Sequence, residues 1–161
     1  MISMGIDPGT ARCGFGLIEI DGDRLTPLAF DSIETHPKAR MQDRLEKIYD
    51  SVDALMKQYQ PDVLGVEKLF FGRNATTAIP VGQARGVVLL AAAKNQINLV
   101  ELTPAEIKLA ITGYGNADKQ QMMFMIGKLL RLEGQIALDD TADALAVAIA
   151  VSSIRGIGSG N

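Results

Sequence analysis

The chain has 161 residues, a formal net charge of −3 and one cysteine. That length suits a single domain with a substantial core, and the lone Cys13 excludes an internal disulfide and disfavours a zinc–cysteine site. The acidic total argues against indiscriminate nucleic-acid binding. We expect a cytoplasmic protein, because the sequence shows no signal peptide and no apolar run near the roughly 18 residues of a membrane span.

The first third of the chain predicts a three-stranded meander. Its strands are apolar runs separated by turn signals, and they cover residues 2–7, 14–20 and 25–34. Cys13 precedes the second strand, where we expect a small loop residue. A nucleophilic role for it is disfavoured, because the only histidine, His36, lies in a separate polar connection that we expect at the surface.

The rest of the chain alternates helices and strands. Helical spacing, capping signals and Ala-rich composition predict helices over 39–58, 75–95, 104–112, 118–132 and 140–155. Strands are predicted over 62–67 and 97–102. Thr103-Pro104-Ala105-Glu106 has the composition of a capping box. This order predicts one α/β domain over residues 1–155, a mixed sheet flanked by helices, with a flexible tail at 156–161.

Four carboxylates stand at the ends of apolar segments. Asp7 and Glu67 close predicted strands, and Asp140 and Asp143 lie three apart at the start of the last, very apolar helix. Asp7 alone could be a turn residue and Asp140 alone a helix cap, whereas Asp143 falls within an apolar helix that we expect to be buried. Partly buried acids need compensation, most simply by Mg²⁺. Together they indicate a two-metal site for phosphodiester chemistry.

Basic and aromatic residues concentrate in the middle of the chain. Residues 68–131 carry 8 Lys/Arg against 3 Asp/Glu, whereas residues 1–67 carry 7 against 12. Two adjacent aromatics mark the loop 68–74, and we expect Phe70 to stack on bases and Phe71 to pack. The candidates for phosphate contacts, each of which could instead be a solvated charge, are Arg85, Lys108 and Lys119. A lysine near metals could also stabilise developing negative charge.

The helix predicted at 118–132 carries a wide apolar face. Core positions at helical spacing are Met122, Met125, Ile126, Leu129 and Leu130. Met123 and Phe124 widen that face beyond one core contact, which is compatible with a subunit interface.

Four motifs, in order and at these spacings, resemble those of RuvC, the bacterial Holliday-junction resolvase family. They are Gly5-Ile-Asp-Pro-Gly-Thr10, the segment 67–75, Gly82-Gln-Ala-Arg-Gly-Val87 and the segment 140–147. The resemblance implies a ribonuclease H-like fold, a five-stranded mixed sheet with helices on both faces. It also implies an endonuclease that resolves four-way DNA junctions by paired symmetric nicks during recombination and repair. The implied assembly is a homodimer that works with the RuvA–RuvB branch-migration complex.

The resemblance assigns roles residue by residue. The catalytic, metal-binding acids become Asp7, Glu67, Asp140 and Asp143. The DNA-contacting residues become Phe70, Arg73, Lys108 and Lys119, with Lys119 also catalytic, and Arg85 stays a further candidate. Two Mg²⁺ ions, for which Mn²⁺ can substitute, would share Asp7, and hydrolysis would leave a 5′-phosphate and a 3′-hydroxyl. The third acid position is not always Asp in the family.

Three alternatives stay open from the sequence. An actin-like ATPase or sugar kinase shares the fold and has a phosphate loop like Gly5–Thr10, but needs a second domain to enclose the nucleotide. A related nuclease could act on RNA, although the Phe-Phe loop and the segment 83–86 count against it. A module could bind junctions without cutting them, which the complete set of acids disfavours.

Overall fold

The computed structural model describes residues 1–69, 75–132 and 139–158. Within these ranges the strands are β1 (Ile2–Asp7), β2 (Arg12–Asp21), β3 (Arg24–Glu34), β4 (Val63–Glu67) and β5 (Asn98–Leu102). The helices are α1 (Met41–Tyr59), α2 (Ala75–Lys94), α3 (Pro104–Thr112), α4 (Lys119–Leu129) and α5 (Asp139–Gly158). No helix in this part of the chain combines the length and the apolar character needed to cross a membrane.

The sheet is mixed, as predicted. Its strand order is β3-β2-β1-β4-β5. The meander β1-β2-β3 is antiparallel, and β1 pairs in parallel with β4, which pairs in parallel with β5. The parallel pairs require crossovers, which α1 and α2 provide. Because β1 and β4 run side by side in the same direction, their carboxyl ends meet at one edge of the sheet.

The alternation of side chains along β1 sorts the helices onto the two faces. Met4 and Ile6 belong to a core with residues of α1 and α2. Ser3 and Gly5 face the other way, toward α5, and the Ser3 hydroxyl donates a buried 2.9 Å hydrogen bond to the Ala148 carbonyl. A second core joins α3, α4 and α5. Helices therefore cover both faces of the sheet.

Most element boundaries differ from the sequence prediction by one to three residues, and three of the differences are informative. β2 begins at Arg12, so Cys13 is a fully buried strand residue and the prediction of a loop position was wrong. α4 ends at Leu129, three residues early, because Arg131 adopts a left-handed backbone with φ 53°. α5 continues to Gly158, past the predicted end at residue 155.

Capping boxes begin two of the helices. At α3 the Thr103 hydroxyl accepts from the Glu106 backbone N–H, and the Glu106 carboxylate accepts from the Thr103 backbone N–H at 2.7 Å, which confirms the predicted motif. Asp118 and Gln121 form the same reciprocal pair at α4, which the sequence reading did not identify. These caps fix where α3 and α4 start, so that Lys119 is the first residue of α4 and Lys108 lies one turn into α3.

Glycines let α5 lie directly on the sheet. A Cβ at Gly5 would come within 2.5 Å of the Ala148 nitrogen, and one at Gly14 would come within 2.5 Å of the Asp140 carbonyl carbon. A Cβ at Gly16 would lie 2.8 Å from the Leu145 side chain, and one at Gly65 would lie 2.7 Å from the Val147 side chain. Any side chain at these positions would therefore push the helix away from the strands.

We expect Gly14→Ala to destabilise the fold by about 1–3 kcal/mol, because the added methyl group overpacks the contact with the start of α5. Gly82→Ala is the matched control, since a Cβ there meets nothing within 4 Å and helix propensity favours Ala by roughly 0.5–1 kcal/mol. Urea unfolding measures both variants. Equal stability of the two variants would contradict the close approach of α5.

Candidate active site

Three elements bring the predicted acids together. Asp7 is the last residue of β1 and Glu67 the last of β4, and the pairing of Ile6 with Val66 places them at the same edge. Asp7 also pairs with Gly14 on β2, and Gly14 lies against the backbone of Asp140. The α5 contact thus carries Asp140 and Asp143 to the strand ends that hold Asp7 and Glu67.

The carboxylates interact electrostatically. Burial, and then the nearby charges of Asp143, Asp140 and Glu67, raise the pKa of Asp7 to about 7. Burial and Asp143 also raise the pKa of Glu67, while the neighbouring Lys108 lowers it. Burial and mutual repulsion therefore oppose full ionisation of the carboxylates at this edge of the sheet. The charge of Lys108 offsets only part of that repulsion.

Asp143 differs from its expectation in one respect. It is exposed, whereas every other residue from Thr141 to Ala150 is buried. The helix is apolar around most of its circumference, as predicted, but Asp143 opens into a cavity beside the sheet edge. An exposed carboxylate at this position avoids the desolvation cost that a fully buried position would impose.

The donor set fits a hard divalent cation. Carboxylate oxygens are the ligands that Mg²⁺ prefers, and a cation among these acids would offset the burial and the repulsion that together raise the pKa of Asp7. Within residues 1–69, 75–132 and 139–158, no three Asp, Glu, His or Cys side chains are close enough together to hold a metal ion in their present positions. A cation would therefore have to draw the carboxylates inward.

Two lysines border the same site. A cavity of about 240 Å³ is lined by Glu67 and Asp143 together with Lys108 of α3 and Lys119 of α4. Both lysines were predicted from the sequence as phosphate contacts. The structure places them beside two of the four acids, so that one substrate phosphate could be reached by cations and carboxylates together.

A hydrogen-bonded relay supports the loop that follows Asp7. The buried Thr35 hydroxyl donates to the Thr10 carbonyl, its backbone N–H donates to Ala11 at 3.0 Å, and Arg44 of α1 donates to the hydroxyl at 2.8 Å. The relay ties β3 and α1 to the loop 8–11. No sequence motif marks Thr35 or Arg44, since their partners are distant in the chain.

The other predicted DNA contacts lie elsewhere. Phe70 and Arg73 are outside the described residues. Arg85 forms an ion pair with Glu101 of β5, and its side chain is only 15% exposed. Its role in DNA binding stays a prediction, and the structure gives Arg85 a partner within the fold.

Cys13 is buried beside the acids, and its thiol is expected to be unreactive. Burial raises the pKa of its thiol to about 12, and the charges of Asp7 and Asp140 add to the shift. A protonated thiol is a poor nucleophile, so the raised pKa counts against a nucleophilic role for Cys13. His36 is exposed, as expected, and accepts a hydrogen bond from the Lys38 backbone N–H.

Comparison with known proteins gives the family. The family model for crossover junction endodeoxyribonuclease RuvC matches residues 3–151. The chain belongs to the RuvC family. A relative from Desulforamulus reducens named crossover junction endodeoxyribonuclease RuvC is 50% identical over 149 residues, covering 92% of this chain and 91% of the relative.

Solved structures agree with this assignment. Thermus thermophilus RuvC in complex with Holliday junction substrate superposes with a TM-score of 0.94 at 29% identity, covering 99% of this chain and 97% of that chain. The yeast mitochondrial Holliday junction resolvase Ydc2, at 14% identity and a TM-score of 0.65, covers 95% of this chain and 79% of that chain and supports the shared fold alone. The predicted ribonuclease H-like α/β fold is confirmed.

The raised pKa of Asp7 predicts a pH-dependent effect of Asp7→Asn. The folded protein holds the Asp7 proton up to about pH 7, whereas the unfolded chain releases it near the ordinary value of 3.8. Stability is therefore lost as pH rises through this window. In EDTA we expect Asp7→Asn to raise Tm by a few degrees above pH 7, with the difference vanishing toward pH 4.

Melting curves across this range, with the exposed Asp23→Asn as control, provide the measurement. A Tm difference for Asp7→Asn that does not change with pH would show that the pKa of Asp7 is not raised in the folded protein.

Proposed function

We propose that this chain is a metal-dependent endonuclease that resolves four-way DNA junctions by symmetric nicks in two strands, in recombination and repair. The observation that carries the proposal is the meeting of Asp7, Glu67, Asp140 and Asp143 at one sheet edge, beside a cavity bordered by two lysines. Family membership and the close likeness to a resolvase solved with its junction substrate support the choice of substrate.

In this proposal Asp7, Glu67, Asp140 and Asp143 would hold two Mg²⁺ ions. Bound metal would supply an acidified water as nucleophile and stabilise the leaving 3′-oxygen. The chain's own residues position the phosphate. Lys108 and Lys119 contact its oxygens, and Lys119 offsets the charge that develops on them. The products are a 5′-phosphate and a 3′-hydroxyl, and Mn²⁺ is expected to replace Mg²⁺.

Proton competition follows from the same geometry. Asp7 must lose its proton to bind a cation, and its pKa is raised to about 7. The apparent affinity for metal should therefore weaken as pH falls below 7. The relay of Thr35 and Arg44 holds the loop that follows Asp7, and Asp7 itself is held by its pairing with Gly14 in the sheet.

Cleavage assays test the proposal. A synthetic four-way junction, a matched linear duplex and an RNA–DNA hybrid would each be incubated with Mg²⁺ or EDTA. We expect paired nicks in the junction alone, dependent on Mg²⁺. Asp7→Asn should reduce cleavage at least about 100-fold while junction binding survives, since the lysines are untouched. Cleavage of the hybrid in preference to the junction would overturn the substrate.

A homodimer is part of the proposal, since a junction is cut on two strands and a two-fold enzyme matches a two-fold substrate. One face of α2 supports it. Ile79 and Leu90 are 63% and 54% exposed, and Gln83 and Gly86 are exposed between them at helical spacing. Such an apolar stripe suits the same stripe of a second copy. A partnership with the RuvA–RuvB complex rests on the family resemblance alone.

Sedimentation of Leu90→Glu tests the dimer. We expect this variant to be monomeric at concentrations where the unmodified protein is dimeric, because a charge would be buried in the interface. Leu109→Glu is the control, since Leu109 is similarly exposed on α3. A dimeric Leu90→Glu variant, or an unmodified protein that is monomeric throughout, would contradict this arrangement.

A further inference from the structure

The cavity beside Glu67 and Asp143 is more apolar than phosphate chemistry requires. Beyond its four charged residues, its wall comes from Pro104 and Ile107 of α3, Met122, Met123 and Ile126 of α4, and two alanines of α5. Phosphate oxygens gain nothing from such a wall, and metal ligation does not use it. The apolar part must therefore serve either the core or another part of the substrate.

Met123 does not serve the core. Met122 and Met125 pack against the core formed by α3, α4 and α5, whereas Met123 is not among the described side chains that pack there. It is partly buried because it lines the cavity. Phe124, expected with Met123 to widen one apolar face, is 63% exposed and lines a separate groove with Met125. Met123 therefore belongs to the site.

The position of the cavity limits what could enter it. A phosphate that reaches the four acids lies against Glu67 and Asp143, and these two residues also line the cavity. The nucleotide joined to that phosphate therefore lies at the cavity mouth. Lys108 and Lys119, on the same rim, can hold the backbone there. The volume, about 240 Å³, is below the roughly 300–1,000 Å³ of sites for drug-sized ligands and suits a smaller group.

We propose that this cavity takes the base and sugar of one unpaired nucleotide next to the scissile phosphate, and that Met123 determines which base is preferred there. The inference rests on the proposed nuclease function and deepens it. A base must leave its stack to enter, which costs free energy in a duplex and costs least where bases are already unpaired. The cavity would thus favour cutting near a branch point.

The chemistry of the wall specifies how bases are distinguished. Methionine side chains are flexible and polarizable and adapt to several shapes. Met123 and its apolar neighbours offer no hydrogen-bond donors, so discrimination comes from shape and apolar contact. Differences of that kind are modest, on the order of 10-fold between ligands that differ by a small apolar group.

A set of junctions that differ only in the bases flanking the cleaved phosphate tests the assignment. Single-turnover cleavage would be compared for the unmodified protein, Met123→Gln, Met123→Leu and the matched control Met125→Gln. We expect Met123→Gln to change the ratios between bases by roughly 10-fold, while Met123→Leu and Met125→Gln keep them within about 2-fold. Junction affinity of Met125→Gln in Ca²⁺ should not change, because Met125 does not line the cavity.

A second readout does not depend on cleavage. With 2-aminopurine at either flanking position, binding in Ca²⁺ should raise fluorescence at one of them, and Met123→Gln should reduce the rise. Unchanged base ratios in Met123→Gln, or no rise at either position, would overturn the inference. If the unmodified protein cut no junction, the proposed nuclease function would fail instead, and the fluorescence result would still decide whether the cavity takes a base.

Discussion

The direct contact between α5 and the glycine-bearing strands β1 and β2 is the constraint on which the rest of the structure depends. Gly5 and Gly14 have no side chain to hold the helix off, and Ser3 fixes it with a buried hydrogen bond. The contact joins both ends of the sequence. Without it, Asp140 and Asp143 would be ordinary helix residues, far from the strand ends that carry Asp7 and Glu67.

The same contact has an electrostatic cost. It brings like charges together in a partly desolvated place, and the pKa of Asp7 rises to about 7 as a result. The cores above and below the sheet must hold this arrangement against its own repulsion. A site that is strained in this way favours cations strongly, because a bound cation removes the repulsion and satisfies the oxygens together. The same repulsion that lowers the stability of the fold at this edge of the sheet would favour the cation binding that the proposed function needs.

Much of this architecture could be predicted from the sequence because the signals are local. Apolar runs, turn residues and the Thr103 capping box predicted the elements, and acids at the ends of apolar segments predicted the four carboxylates. The exposure of Asp143, the ion pair of Arg85 with Glu101 and the relay from Arg44 to Thr10 depend on which distant segments meet. Local sequence patterns do not show which distant segments come into contact. For the same reason the sequence did not show that Met123 lines the cavity while Phe124 lines a separate groove.

The measurement that tests this account most directly is an anomalous diffraction map from crystals of the protein soaked in Mn²⁺. The account predicts metal density at the carboxyl ends of β1 and β4, in contact with Asp7 and at least one of Glu67, Asp140 and Asp143. Metal density confined to other surfaces, with the four carboxylates unchanged at saturating Mn²⁺, would contradict it.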